Sequence, residues 1–276
     1  MYRFIMSLML VLPVSVFSAL NYLQEDITND TTWTIQDSPV YIYGNITVKN
    51  GATLTIMSGV EVYFMLVEGD GGFREGSELY IADGKLIAEG TQLLPVIFTS
   101  GGDIRSDGDW GCIAVEDDSV VNLNHCVIEY AKAGLIFWNL SSMSEMASSV
   151  NYCRIYHSSE VGILFYNSSP TINFNSIKNN RYGIQTQGLS SPTVNYNDIC
   201  SNYSYNFRNL SGLNQDATSN WWGTTNINEI EAKIYDYYDN HNYGVVDYTP
   251  FLESSYFNEG GIGDKSLGWL RSIFVP

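Results

Sequence analysis

Ser168-Ser-Pro-Thr-Ile-Asn-Phe-Asn-Ser-Ile177 returns as Ser190-Ser-Pro-Thr-Val-Asn-Tyr-Asn-Asp-Ile199, an offset of 22 residues. One unit earlier, Val150-Asn-Tyr-Cys-Arg-Ile155 precedes Ile172-Asn-Phe-Asn-Ser-Ile177 by the same 22, and Leu123-Asn-His-Cys-Val-Ile128 precedes it by 27. The five extra residues fit into the polar stretch from Asn139 to Ser149. A repeat of this length that carries only short apolar alternations is the signature of a solenoid, in which each coil pairs with the next.

Inside a unit the alternation has period two and then changes parity. Ile172 and Phe174 share one face, and Ile177 falls on the opposite one. The chain therefore turns a corner between them, and Asn175 is the residue type that tolerates the left-handed backbone a corner needs. Second strands open on glycine, as Gly134-Leu-Ile-Phe137, Gly162-Ile-Leu-Phe165 and Gly183-Ile-Gln-Thr186. Parallel coils stack equivalent positions at ~4.8 Å. Tyr152, Phe174 and Tyr196 should then form one column, Val150, Ile172 and Val194 a second, and Ile128, Ile155, Ile177 and Ile199 a third. Asn175 and Asn197 should form an amide ladder.

Before residue 110 the units are less regular but still strand-like: Ile46–Val48, Leu54–Ile56, Val60–Phe64, Leu79–Ile81, Leu86–Ala88 and Val96–Phe98, separated by Asn-Gly, Ser-Gly, Asp-Gly and Glu-Gly turns. The largest interruption is the loop from Glu68 to Ser77. One helix is predicted, late in the chain. Asn226 and Glu229 fit a capping box, with Ile227, Ile230, Ile234 and Tyr237 or Tyr238 on one face. Its task would be to cover the open end of the solenoid, with Trp221-Trp222 as a plug over the last coil.

Arg3, the apolar run Phe4–Phe17 and the small residues Ser18 and Ala19 follow the order of a secretory signal peptide, cut after Ser18 or Ala19. The run is too short for a bilayer span, and no later stretch is long and apolar enough to be one. The expected layout is a signal peptide over 1–19, a β-helix domain with its cap over 20–251 and a tail over 252–276, in a secreted or cell-surface protein. With 13 Lys+Arg against 30 Asp+Glu the chain carries a net charge of -17, which disfavours nucleic acid, pectate and anionic membranes as partners. Four cysteines without a C-x-x-C pair and three histidines make a zinc site a poor fit. No cofactor and no metal are called for. Asp236, Asp239, Asn240 and Asp247 lack the ordered spacing of a calcium loop and read as a solvated terminal segment, while Asp103, Asp107 and Asp109 read as turn residues. His125, His157 and His241 are isolated and receive no catalytic role. Cys126 and Cys153 stand where the later coils have Asn175 and Asn197, which places them side by side. A disulfide is feasible there, and two stacked reduced thiols are the alternative.

Five segments carry a family resemblance: Val48-Lys-Asn-Gly-Ala-Thr-Leu-Thr-Ile-Met-Ser-Gly-Val-Glu-Val-Tyr-Phe64, Gly84-Lys-Leu-Ile-Ala-Glu-Gly-Thr91 with Pro95-Val-Ile-Phe-Thr-Ser100, Asp109-Trp-Gly-Cys-Ile113, Ala217-Thr-Ser-Asn-Trp-Trp-Gly-Thr224 and Val246-Asp-Tyr-Thr-Pro-Phe251. On these the chain resembles the right-handed parallel β-helix repeat proteins of the pectate-lyase-like superfamily, in their exported, adhesin-like form. The resemblance implies an all-β fold: a right-handed, single-stranded parallel β-helix (solenoid) with a short C-terminal capping helix. Enzymes of that superfamily place Asp clusters with Lys or Arg on one outward face. Asp117-Asp118 occurs here, but the Gly-His-Gly and Arg-Ile-Lys segments that accompany such a pair in polygalacturonases do not. Arg154 and Arg181 show no carboxylate cluster in neighbouring coils. A non-catalytic adhesin-like or glycan-binding scaffold is therefore the leading reading. A polysaccharide lyase or glycoside hydrolase is the alternative, and outward carboxylates roughly 5 to 9 Å apart would favour it.

Parity in the Gly-led strands picks out candidate ligand-binding residues. If Leu135, Phe137, Ile163, Phe165, Ile184 and Thr186 point inward, then Ile136, Trp138, Leu164, Tyr166, Gln185 and Gln187 point outward and stack. Trp138 and Tyr166 would offer apolar ring faces to a sugar, and Gln185 and Gln187 would reach its hydroxyls. The competing reading, given more weight here, is that residues 139–149 fold over this shelf and bury it.

Overall fold

The computed structural model describes residues 21–66 and 76–257. The expected signal peptide lies outside the described residues, as do most of the Glu68–Ser77 loop and the tail beyond residue 257. Three parallel sheets, A, B and C, hold eight, eight and seven strands. Each coil contributes one strand to each. Ser149–Asn151 lies in sheet C, Arg154–Tyr156 in sheet A and Val161–Tyr166 in sheet B, and the chain then re-enters sheet C at Thr171–Asn173. The register follows the repeat: Val150 pairs with Ile172 and Ile172 with Val194, while Ile155 pairs with Ile177 and Ile177 with Ile199. All six of these side chains are fully buried. The six strands expected before residue 110 are all present.

The aromatic column forms, with Phe174 stacked between Tyr152 and Tyr196 at 5.3 and 5.4 Å, and His125 adds a fourth ring at 5.1 Å from Tyr152. Its place differs from the expectation. The corner residue is the aromatic one, since His125, Tyr152, Phe174 and Tyr196 have φ of 49°, 55°, 57° and 59°. Left-handed backbone turns these rings outward and costs a non-glycine residue about 1–2 kcal/mol, which the ring stack offsets. The following residue then points inward. Asn175 and Asn197 are fully buried there. Asn175 Nδ2 donates to Asn197 Oδ1 (3.1 Å) and Asn197 Nδ2 to Asn220 Oδ1 (3.1 Å), so the ladder runs one coil further than the repeat suggested. A second ladder, Asn180–Asn202–Asn206, fills the next corner.

Cys126 and Cys153 occupy the ladder position as expected, but the bridge the register allows is not formed, and all four cysteines are buried thiols outside any disulfide. Residues in register on parallel strands point the same way, whereas a disulfide needs converging Cβ atoms. Instead the Cys126 backbone N–H donates to Cys153 Sγ (3.4 Å) and the Cys153 backbone N–H to Asn175 Oδ1 (2.9 Å). Burial pushes the Cys126 thiol far up from its ordinary pKa, away from the reactive thiolate. Mass spectrometry after iodoacetamide treatment at pH 8 should therefore find Cys126 unmodified in the native protein. After unfolding without a reductant, all four cysteines should be alkylated; two missing alkylations would reinstate the bridge.

The cap is built differently from the long amphipathic helix expected. Helix α2 spans only Ile227–Glu231; Asn226 Oδ1 accepts from the Asn228 N–H (3.1 Å), and Glu229 reaches the Asn226 side chain rather than its backbone. Ile230 is buried and Ile227 is exposed. Ile234 belongs to a strand, Ile234–Tyr235, that extends sheet B by pairing with Tyr205–Ser211. The unpaired edge of that last strand offers backbone hydrogen bonds that outweigh one more helical turn. Trp222 alone forms the plug, only 2 % exposed, and Trp221 is half-buried beside Asp198. Asp236 caps local turns, accepting from Tyr238 N and Val246 N.

Candidate binding face on sheet B

The Gly-led strands lie in sheet B as Ala133–Trp138, Val161–Tyr166 and Tyr182–Gly188. Their parity is as read: Leu135, Phe137, Ile163, Phe165, Ile184 and Thr186 are all fully buried, and the alternate residues face out. Trp138 pairs with Tyr166 and Tyr166 with Gln187, while Leu164 pairs with Gln185 and Gln185 with Arg208.

The insertion does not cover this face. Its residues Ser142–Ala147 form a short helix, α1, which packs on the sheet C strand Val120–Asn124 and leaves Trp138 42 % exposed. The burial reading is thus overturned, because the Ser141 cap and Leu140, whose side chain is buried, swing the helix around the B–C corner instead of back over sheet B. Trp138 and Tyr166 stack at 4.3 Å and 13°. With Tyr166 on one side of the indole, the opposite face of Trp138 is turned toward Glu116, its register neighbour in the preceding coil. Glu116 itself stacks on Ala82 and Trp138, so no second carboxylate shares its column.

The two glutamines separate. Gln187 is half-buried at the end of the Trp138–Tyr166 column. Gln185 is only 8 % exposed, and its Oε1 accepts from Arg208 (3.0 Å), so it is not a free amide. Between these columns and the Tyr182 side lies an apolar floor of Cys112, Ala114, Ala133 and Val161, packed with Tyr80, Ile136, Leu164 and Tyr182. Sequence reading missed this floor and the guanidinium at its end. The Arg208 guanidinium carbon lies 4.7 Å from the Tyr182 ring centroid and 5.8 Å from that of Tyr235. Two concavities lie elsewhere on the described surface. One of about 380 Å³ is lined on sheet C by residues including Asn122, Ser149 and Tyr152, and one of about 370 Å³ sits at the cap beside Asp236 and Tyr248. The aromatic pair is therefore an open shelf, suited to a chain-like ligand rather than an enclosed small molecule.

Polar clusters elsewhere serve the fold. On sheet A, Glu129 accepts from Thr99 Oγ1 (2.8 Å) and pairs with Arg105 (3.4 Å), and Asp107 pairs with His157 (3.3 Å), which ties residues 101–109 to the sheet. Burial, and next the Glu129 charge, push the Tyr156 phenol well above its ordinary range, so it stays neutral. Asp109 accepts from Ser100 Oγ and Ser106 N as a turn residue. Among the described residues no group of three or more His, Cys, Asp or Glu side chains is placed to hold a metal ion, and no helix is long and apolar enough to cross a membrane.

Two family models match the chain: a pectate-lyase like beta helix domain over residues 25–159 and a right handed beta helix region over residues 111–246. The chain belongs to the right-handed parallel β-helix repeat proteins. No curated protein and no solved structure matches it. Membership of this β-helix family accounts for the sheets, the ladders and the corner geometry, and assigns no chemistry to the sheet B face.

Proposed function

We propose that this β-helix protein is an exported, non-catalytic scaffold at the cell surface or outside the cell, and that it binds glycan chains along the outer face of sheet B. The observation that carries the reading is the Trp138 ring, 42 % exposed, stacked on Tyr166 and flanked in register by Glu116. A rigid indole held by its neighbour loses little entropy on binding, and its exposed part suits apolar contact with a sugar ring. Gln187, one coil step beyond Tyr166, and Glu116, one step before Trp138, supply acceptors and donors for hydroxyls.

The test is a glycan array probed with the mature protein beside Trp138→Ala. Loss of at least tenfold in apparent affinity is expected for the variant. Its thermal midpoint should stay within about 2 °C of the parent, since a half-exposed ring contributes little to folding. Equal binding by both proteins would sink the shelf as the site. N-terminal sequencing of material from the medium should begin at Ala19 or Leu20, and an intact Met1 would remove the case for export.

A further inference from the structure

The same sheet carries a second feature. Arg181 and Arg208 set their guanidinium carbons 5.2 and 4.7 Å from the centroid of one ring, that of Tyr182. Tyr205 stacks on Tyr182 at 6.2 Å, and Tyr235 flanks both Tyr205 and Arg208. The chain has 30 carboxylate residues against 13 Lys and Arg, yet among the described residues neither arginine has a carboxylate partner. The one hydrogen bond to Arg208 comes from a neutral acceptor, Gln185 Oε1 at 3.0 Å. Two cations are thus held beside one ring with no carboxylate in ion-pair contact, in a protein of net charge -17, the nearest register carboxylate being Glu160 one coil before Arg181. Like charges so placed repel, and a bound oxyanion relieves that repulsion. A guanidinium already fixed on aromatic faces gives up little freedom when it closes a two-pronged hydrogen bond to one.

We infer that Arg181, Tyr182 and Arg208 form an oxyanion-receiving site for an acidic sugar, bearing a carboxylate or a sulfate ester, within the glycan that lies along sheet B. This rests on the glycan reading above. Arg208 stands three coils beyond Trp138, about 14 Å along the axis at ~4.8 Å per coil. A short saccharide can therefore hold both at once. The net charge decides between a single acidic group and a polyanion: a chain this acidic repels a densely charged polymer, whereas one isolated anion meets only the local pair of arginines.

The experiment follows the arginine Nε–Hε resonances of the ¹⁵N-labelled protein during addition of sodium glucuronate, sodium sulfate, hexaglutamate or glucose at constant ionic strength. Arg181→Gln and Arg208→Gln assign the two signals. Both signals are expected to move with glucuronate or sulfate and to stay still with glucose. The stronger of the two acids identifies the group as carboxylate or sulfate ester. Failure of both glucuronate and sulfate to move them, or equal movement of every arginine signal, overturns the site. A larger response to hexaglutamate than to both would assign it to an acidic peptide and overturn the sugar.

On the array, an oligosaccharide with one uronate or sulfate should bind on the order of tenfold tighter than its neutral parent, and Arg208→Gln should erase that preference while keeping neutral binding. Trp138→Ala should leave the resonance titration unchanged. Moving arginine signals with a blank array would uphold the anion site and defeat the glycan reading. Array binding indifferent to charge and to Arg208→Gln would do the reverse.

Discussion

Asn197→Ala is expected to cost about 4 kcal/mol of stability, more than any exposed substitution in the protein. Asn197 Oδ1 accepts from the Asn175 backbone N–H (2.8 Å) and from Asn175 Nδ2 (3.1 Å), and its own Nδ2 donates to Ile172 O, Asn195 O and Asn220 Oδ1. Asn175, Asn197 and Asn220 are fully buried, so no water replaces what alanine removes. Each buried polar group left unpaired costs about 1–3 kcal/mol, and several are stranded together. The comparison is Tyr196→Ala one residue earlier, which removes an outward ring 44 % exposed and should cost about 1 kcal/mol. Urea unfolding of the two variants reads the difference. A midpoint for Asn197→Ala no lower than that for Tyr196→Ala would show that the ladder is not what holds the corner.

The second large effect is expected at Gly183. A Cβ there would sit 2.5 Å from Asn206 O and 2.6 Å from Asn202 Nδ2. Neither atom can withdraw. Asn206 O lies on the next strand of sheet B, and Asn202 Nδ2 is bonded to Ile177 O, Cys200 O and Asn206 Oδ1 inside the second amide ladder. Gly134, Gly162 and Gly183 stack in one column because at each the carbonyl of the next strand takes the space a side chain would need, joined at Gly162 and Gly183 by the Asn180 and Asn202 amides of that ladder. Gly183→Ala should lose about 3 kcal/mol or more, seen as a lower thermal midpoint and reduced soluble yield. Gly212→Ala is the control, since its Cβ would meet nothing closer than 4.0 Å and should change stability by less than about 0.5 kcal/mol. Similar melting of the two variants would rule out the close-packed glycine column.

The repeat was legible because stacking leaves a trace in one dimension. Residues 22 apart that share a column need the same character, so Val150, Ile172 and Val194, or Ile155, Ile177 and Ile199, could be aligned before any coordinates. The outward run Trp138, Tyr166 and Gln187 followed from the same parity. Parity could not say which residue of Phe174-Asn175 absorbs the turn, since either choice flips the faces downstream. The answer depends on stacking energy between coils, which favours rings outside and amides inside. Nor could it find the Asn180–Asn202–Asn206 ladder, whose last member sits at a different spacing from the others.

Sequence alone determined the coil length, the inward columns, the acidity and the place of the aromatic shelf, because each of these is a local pattern repeated at a fixed step. Tertiary structure alone decided the rest. Whether the inserted residues 139–149 bury Trp138 depends on which way α1 leaves the corner, and that is set by packing against Val120–Asn124 in an earlier coil. Whether Ile234 continues a helix or adds a strand depends on the unpaired edge of Tyr205–Ser211, which exists only once the solenoid has formed. Arg181 and Arg208 meet on the Tyr182 ring for the same reason: a solenoid joins residues one turn apart across a gap of a few ångströms, and the charge balance of that gap appears only when the coils are stacked.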